Sequence, residues 1–163
     1  MLKLVSLLSL IIFSSFTCAK NGVPAKSTPP NNTVNRSTLL QLVNNIRQKG
    51  CNCGGTYMPS VEPVSWNTQL AQAAFNHSKD MNAKNYFSHR SRSGTDPGDR
   101  IRAAGYKWKA YGENIAHNYF NEQAVVDGWL KSTTHCKTIM NPYYKEMGVG
   151  RAGEYWTQDF GAK

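Results

Sequence analysis

The most restrictive feature of this 163-residue sequence is the spacing of three cysteines, Cys51, Cys53 and Cys136. The first two are only two residues apart, which is too close for them to pair easily with each other. In an oxidising compartment we expect one of them to bond to Cys136 and the other to remain a free thiol. A zinc site is a weaker alternative, because the sequence contains no CxxC pair.

The N-terminus has the layout of an export signal. Lys3 precedes an uncharged run that extends to Ala19, and this run is too short to span a bilayer comfortably. We expect residues 1–19 to be a signal peptide, with two routes of processing open. Either the chain is cleaved after Ala19 and secreted, or the segment is a lipoprotein signal that ends at a lipidated Cys18.

The chain is basic, with 19 Lys and Arg against 10 Asp and Glu and a formal net charge of +9. Its densest basic group, at positions 90, 92, 100 and 102, lacks the interleaved aromatic residues on which single-strand binders stack bases. We therefore expect no nucleic-acid partner. The charge is interpreted as a solvated surface, with contact to an anionic cell envelope as the more specific alternative.

Hydrophobic periodicity predicts three helices. The first is capped by Ser37 and ends near Gly50, the second runs from about Trp66 to Asn85, and the third covers residues 122–132. His77 lies in the apolar stripe of the second helix, and we predict that it is a hydrogen-bonded core residue rather than a ligand.

The remaining segments are predicted to be a linker, loops and strands. Pro, Asn, Ser and Thr dominate residues 20–37, which favours a flexible linker. The predicted loops are 51–64, 86–109 (with a helical turn or two at 99–104) and 133–142. The predicted strands are 110–117, 145–151 and 154–160, and the last two are joined by a hairpin turn at Ala152-Gly153.

Three polar residues in or beside loops are candidates for a functional site: His89, Glu113 and His135. Two imidazoles and a carboxylate can bind zinc and leave a position open, or they can act as a general acid and base without a metal. Each residue also has a structural alternative. His89 can lie on the surface, His135 can cap a helix end, and Glu113 can accept backbone hydrogen bonds.

Several other chemistries have little support in the sequence. It has no G-x-S-x-G elbow of a serine hydrolase and no glycine-rich phosphate loop. Cys136 directly follows His135, and adjacent residues seldom face each other as nucleophile and base. A disulfide would also remove the thiol, so we do not expect cysteine catalysis.

Four segments, in this order, resemble the bacterial branch of the CAP superfamily. They are LAQAAFNHSKDMNAKNYFSHRS, DRIRAAGYKWKAYGENIA, VVDGWLKSTTHCKTIMNPYYKEMGVG and YWTQDFG. This domain is shared with cysteine-rich secretory proteins, venom antigen 5 and class 1 pathogenesis-related plant proteins. The resemblance covers residues 38–161, which we therefore expect to form one CAP (SCP-like) domain.

The resemblance implies an α+β fold, an α-β-α sandwich in which helices flank a central antiparallel sheet. It also implies a cleft with two histidines and two glutamates that often holds zinc. The histidines correspond to His89 and His135, and the first glutamate corresponds to Glu113. The second glutamate corresponds to Ser132, so the cleft carries less negative charge than the fuller family pattern, and metal affinity is expected to be lower.

Bacterial members often carry Cys-Gly before the second helix and His-Cys in the late loop. By this resemblance Cys53 pairs with Cys136, and Cys51 is the spare thiol.

Three functions are compatible with these observations. The preferred hypothesis is an exported, non-enzymatic binding module whose His/Glu cleft takes a lipid, glycan or peptide, with or without zinc held by His89, His135 and Glu113. The second is a zinc-assisted hydrolase of peptide or cell-wall material in which Glu113 is the general base. The third is a structural or adhesive surface lipoprotein.

Overall fold

The computed structural model describes residues 32–163. The predicted signal peptide with Cys18, and residues 20–31 of the predicted linker, lie outside the described residues. The helices are α1 (Arg36–Lys49), α2 (Thr68–Lys84), α3 (Pro97–Ala103), α4 (Glu122–Lys131) and α5 (Thr133–Ile139). The strands are β1 (Cys51–Cys53), β2 (Thr56–Met58), β3 (Ser65–Trp66), β4 (Ala110–His117), β5 (Glu146–Ala152) and β6 (Tyr155–Ala162). Between residues 32 and 163, no helix combines the length and the apolar character needed to cross a membrane.

Helix α1 begins at Arg36, inside the range that the sequence predicts as linker. Its N-cap is Asn35, whose side-chain oxygen accepts a hydrogen bond from the backbone N–H of Thr38 at 3.1 Å. The prediction that Ser37 caps this helix is wrong, because Ser37 lies in the first turn and donates its hydroxyl to Asn35. Asparagine and serine are equally good N-caps. The sequence therefore does not decide whether the helix is capped by Asn35 or by Ser37, two residues later.

The central sheet has four strands in the order β3-β5-β6-β4. β6 pairs antiparallel with both β4 and β5, and the two-residue β3 pairs parallel with β5. The predicted hairpin between the last two strands is present, and its turn contains Gly153 with a φ of +59°. In this order β4 is an edge strand, so its outer side faces away from the rest of the sheet.

The two faces of the sheet carry different layers, because successive side chains along a strand point to opposite faces. On one face, Met147, Trp156 and Phe160 pack in a core cluster with residues of α1, α4 and α5. On the other face, Gly148 and Gly150 of β5 lie against the backbone of α2, and a Cβ at either position would overlap it. The structure is therefore an α-β-α sandwich, which confirms the predicted α+β fold.

Two segments that the sequence predicts as loops contain regular structure. Residues 51–64 include an antiparallel hairpin of β1 and β2, turned by Gly54 and Gly55, which both have positive φ. Residues 133–142 include α5, which starts where Ser132 adopts an extended conformation and ends α4. The β-branched Thr133 and Thr134 have low helix propensity, so this helix depends on tertiary contacts rather than on its own sequence.

The second predicted helix is shorter at its start than expected. Trp66 belongs to β3, and α2 begins after Asn67, whose side chain accepts hydrogen bonds from the backbone N–H groups of Gln69 and Leu70. At the other end, Asn85 is the C-cap in the left-handed conformation, with a φ of 48°.

Candidate functional site

Glu113 lies on the edge strand β4 with a side chain that is only 2% exposed. The ring N–H at Nδ1 of His89 donates to its Oε1 at 2.7 Å, and Arg100 Nη2 donates to its Oε2 at 2.6 Å. His89 comes from the loop after α2, and Arg100 comes from α3. A buried carboxylate needs a charged partner, and the Arg100 guanidinium supplies one here.

A second carboxyl group lies beside Glu113. Asp159 of β6 is its cross-strand neighbour and is 1% exposed. Burial, and then the neighbouring charge of Glu113, raise the pKa of Asp159 well above its ordinary value. These two effects favour a neutral carboxylic acid next to the Glu113 carboxylate.

A buried histidine fixes the loop that carries His89. His77 on α2 is 1% exposed, and its Nε2 bonds to the backbone carbonyl of Ser88 at 2.9 Å. Because a carbonyl only accepts, Nε2 carries the proton in this contact. Burial lowers the pKa of His77, so the ring is favoured in its neutral form. The predicted hydrogen-bonded core histidine is present, and it also restrains the residue next to His89.

His135 lies on α5, on the other side of the sheet edge. Asn114 Nδ2 donates to the backbone carbonyl of His135 at 3.3 Å and to the side-chain oxygen of Gln158 at 3.0 Å. Burial lowers the pKa of His135, and the electrostatic interaction with the nearby His89 ring lowers it further. A neutral His135 imidazole offers a lone pair, as a ligand or hydrogen-bond acceptor must.

The adjacent pair Glu113-Asn114 connects the two histidines through β4. Consecutive strand residues point to opposite faces, so Glu113 holds His89 from one face while Asn114 holds the helix of His135 from the other. One edge strand therefore contacts both histidine-bearing segments, through Glu113 on one face and Asn114 on the other.

Two further contacts fix α5. A disulfide joins Cys53 in the β1–β2 hairpin to Cys136, the residue after His135. The fully buried Arg47 of α1 donates from Nη1 to the carbonyl of Ile139, the last residue of α5, at 2.6 Å. This disulfide is the pairing that the family resemblance implies, and Cys51 is the free thiol among the described residues.

A groove of about 460 Å³ runs beside His135. Its lining includes the apolar or aromatic residues Phe87, Ile115, Tyr119 and Trp129. Ser132, the position that corresponds to the second glutamate of the family cleft, also lines it and has its Oγ 3.1 Å from the hydroxyl of Thr134. At Ser132 the groove therefore carries a hydroxyl in place of a carboxylate.

The residues at this site fit a two-histidine metal site better than a three-ligand one. Both oxygens of Glu113 are engaged by His89 and Arg100. Among residues 32–163, no hydrogen bond uses His89 Nε2 or either ring nitrogen of His135. These nitrogens are therefore the atoms that remain available to ligate a metal. If a metal bound to His89, Glu113 would be the carboxylate that orients this histidine, a common arrangement around metals.

The side chains are not already arranged around an ion. In the described residues, the one group of three ligating side chains with all ligand atoms within 4.8 Å of one another is Cys51, Cys53 and Cys136. His89, Glu113 and His135 do not form such a group. In the cysteine group, two of the three sulfurs are joined in the disulfide, which leaves only the Cys51 thiol as a donor.

Sequence reasoning gave His89, Glu113, Ser132 and His135, and it missed the residues that support them. Arg100 was assigned to a solvated basic group, although it binds Glu113. Asp159 was not singled out. The sequence feature that could have drawn attention to it is an acidic residue within the strand segment YWTQDFG, whose residues are all buried. Only the strand register places Asp159 opposite Glu113.

Comparison with known proteins agrees with this fold. Residues 40–160 match the CAP family, described as the cysteine-rich secretory protein family. The chain is 37% identical over 128 residues to the uncharacterized membrane protein YlbC of Bacillus subtilis. The match covers 78% of this chain but only 34% of that protein. An activity of the whole relative is therefore not assigned to this chain.

Two solved structures are also similar. An extracellular protein containing a SCP domain from Bacillus anthracis has a TM-score of 0.69 and 33% identity, over 78% of this chain and 40% of that chain. NaASP2, crystallised with Zn²⁺, has a TM-score of 0.57 over 82% of this chain and 83% of that one, and at 16% identity it shows a common fold alone. From the family match and this shared architecture, we conclude that the chain belongs to the cysteine-rich secretory protein (CAP) family.

Proposed function

We propose that this protein is an exported binding domain without enzymatic activity, whose cleft along β4 takes a ligand between His89 and His135. The state of Glu113 carries this proposal. Its two oxygens accept hydrogen bonds from His89 and Arg100, and its side chain is 2% exposed. A carboxylate that is paired in this way is a poor general base, because neither oxygen is free to take a proton from water.

Export is supported by the export-type N-terminus of the sequence and by the similarity to an extracellular SCP-domain protein. The positive net charge of +9 is suited to an anionic cell envelope.

Zinc is proposed as an optional component of the cleft, held by His89 and His135. When bound, it would supply a Lewis-acidic centre for an oxygen atom of the ligand. The residues of the chain have separate tasks. Glu113 orients His89, Asn114 holds the backbone of His135, and Ser132 adds no negative charge to retain the ion.

Calorimetric titration of tag-free protein with zinc tests the metal part. We expect binding in the wild type and a loss of at least tenfold in His89→Ala and in His135→Ala. His117→Ala is the histidine control, because His117 lines the same groove as His135 but its Nε2 lies 3.5 Å from Glu154. No zinc binding to the wild type, or equal binding in all three variants, would contradict this part.

The groove beside His135 indicates the class of ligand. Its aromatic and aliphatic lining, with a few polar groups, suits a lipid chain, a sugar face or an apolar peptide side chain. Titration with a fatty acid, a peptidoglycan fragment and an oligopeptide tests this. We expect one of the three to bind, and to bind at least tenfold more weakly to Ser132→Trp, which fills the groove.

A hydrolase would behave differently in the same protein. It would cleave peptide or peptidoglycan with chelator-sensitive turnover that Glu113→Gln abolishes. Such turnover would contradict the binding-module proposal, whereas ligand binding that persists without turnover would support it.

A further inference from the structure

Three sulfur atoms lie in one cluster where the β1–β2 hairpin meets α5. Cys53 and Cys136 form the disulfide. The free sulfur of Cys51 lies 3.4 Å from the sulfur of Cys136 and 3.8 Å from that of Cys53. The free thiol is therefore in contact with both atoms of the bond, and it is closer to Cys136.

Strand geometry explains the cluster. Cys51 and Cys53 are two residues apart in β1, so their side chains point to the same side of the strand. The pairing of Cys51 with Met58 and of Cys53 with Thr56 fixes this register. Both sulfurs therefore face Cys136, and either can reach it.

We propose that Cys51, Cys53 and Cys136 form an exchangeable disulfide site with two isomers. The Cys51 thiolate attacks the sulfur of Cys136, a Cys51–Cys136 bond forms, the Cys53–Cys136 bond breaks, and Cys53 leaves as a thiolate that takes up a proton. The reaction consumes one disulfide and one thiol and yields one of each, so it needs no oxidant or reductant.

The two distances place the Cys51 sulfur beside the disulfide rather than in line with it, so attack on either sulfur requires the Cys51 side chain to rotate. Attack on Cys136 is favoured over attack on Cys53 by its product. The product of the second reaction would join Cys51 to Cys53 within one three-residue strand, where the two cysteines are poorly placed to bond. It would also release α5 from the hairpin. The Cys51–Cys136 isomer keeps that connection.

The two isomers close loops of nearly the same length, with sequence separations of 83 and 85 residues. Their chain-entropy stabilisation is therefore nearly equal. They differ in which thiol is free, since Cys53 is fully buried and Cys51 is partly exposed. The site also bears on the cleft, because Cys136 directly follows His135 and exchange changes the anchor of the helix that presents this histidine.

Burial raises the pKa of the Cys51 thiol, so the attacking thiolate is a minor species near neutral pH. Exchange is accordingly slower than for an exposed thiol, and it is stopped completely by acid. This allows the isomers to be trapped and counted.

Native protein is equilibrated at neutral pH without reductant, quenched in acid, unfolded, and alkylated with N-ethylmaleimide at mildly acidic pH. Mass mapping of peptides then shows which cysteine carries the label. We expect label on both Cys51 and Cys53 and none on Cys136. The distribution must not depend on the delay between unfolding and labelling, which excludes exchange after quenching. Label on Cys51 alone would overturn the proposal.

Three variants give an independent measurement. In a glutathione redox buffer, Cys53→Ser is expected to form a Cys51–Cys136 bond and to melt within a few degrees of Cys51→Ser, which keeps the original bond. Cys136→Ser removes both tethers and is expected to melt lowest. If Cys53→Ser folds and keeps two free thiols in the buffer that oxidises Cys51→Ser, the proposal is wrong.

Discussion

At the scale of single residues, Arg100 is the charge that allows Glu113 to remain buried. Its side chain is 10% exposed, and besides Glu113 it binds the Ser91 hydroxyl and the Thr95 carbonyl, both at 3.1 Å. Arg100 therefore connects the loop after α2 to the edge strand. The arrangement of the side chains in the cleft therefore depends on the Arg100–Glu113 ion pair as well as on the two histidines.

Replacement of Arg100 by methionine is expected to lower the free energy of unfolding by about 3 kcal/mol, because it leaves a buried carboxylate without its counter-charge. Denaturant unfolding measures the change. Arg102→Met is the control on the same helix, since this 56% exposed residue pairs with an exposed Asp99 at 3.3 Å. Its loss is expected to be under about 1 kcal/mol. Equal losses in the two variants would contradict a special role for Arg100.

His77 predicts a pH dependence of stability. Its folded-state pKa is lowered from 6.5 by burial, so below that pH the unfolded chain binds more protons than the folded one. Stability contributed by the neutral ring is present above that value and is lost as the pH falls. His77→Gln keeps a donor for the Ser88 carbonyl without titrating. Between about pH 7.5 and about pH 5.5, the wild type should therefore lose more unfolding free energy than the variant does. Parallel curves would count against this interpretation.

At the scale of the elements, α2 packs directly against the backbone of β5. The Cβ atoms missing at Gly148 and Gly150 would occupy the backbone positions of Ala71 and Phe75. The strand therefore carries glycine for close approach of a helix rather than for a special φ angle. This contact sets the distance between the helix that carries His77 and the sheet that carries Glu113.

Gly150→Ala is expected to destabilise the protein by about 2–3 kcal/mol, because the added methyl group meets helix backbone that cannot rotate away. Gly128→Ala is the control. Its Cβ would meet the ring of Tyr119, a side chain that can move, and alanine favours its helix. A smaller loss is expected there, by thermal or denaturant unfolding. A Gly150→Ala protein as stable as the control would show that α2 can shift away from β5 at little cost.

At the scale of the whole molecule, the protein combines an export-type N-terminus, a basic surface and a CAP domain whose cleft lies at one edge of its sheet. The sequence leaves two routes of processing open for the N-terminus, and the mass of the protein from its native host distinguishes them.

We expect the intact mass of that protein to correspond to loss of residues 1–19. Alkylation before reduction should add one group, and alkylation after reduction should add three, because one disulfide and one free thiol are present among Cys51, Cys53 and Cys136. A mass that begins at Cys18 and includes acyl chains would instead assign the lipoprotein route. Three alkyl groups before reduction would contradict the disulfide.

The sequence by itself determined the elements with strong local signals and the family. Strand 110–117 matches β4, and the Ala152-Gly153 hairpin and the long second helix are present, because apolar periodicity and turn residues act over a few positions. The four CAP-like segments predicted the fold and named His89, Glu113 and His135 as candidate site residues. The helix α5 was missed, because its residues favour a helix only when Cys136, Ile139 and the carbonyl of His135 have their partners.

The tertiary structure alone decided how the site is held together. Arg100 and Asp159 are distant from Glu113 in sequence, and only the packing of α3 and the register of β4 with β6 bring them to it. The same is true of the three sulfurs, since strand register places both Cys51 and Cys53 against Cys136. Contacts between segments that are distant in sequence depend on how complete elements pack. A local sequence pattern carries no information about which distant residues will meet.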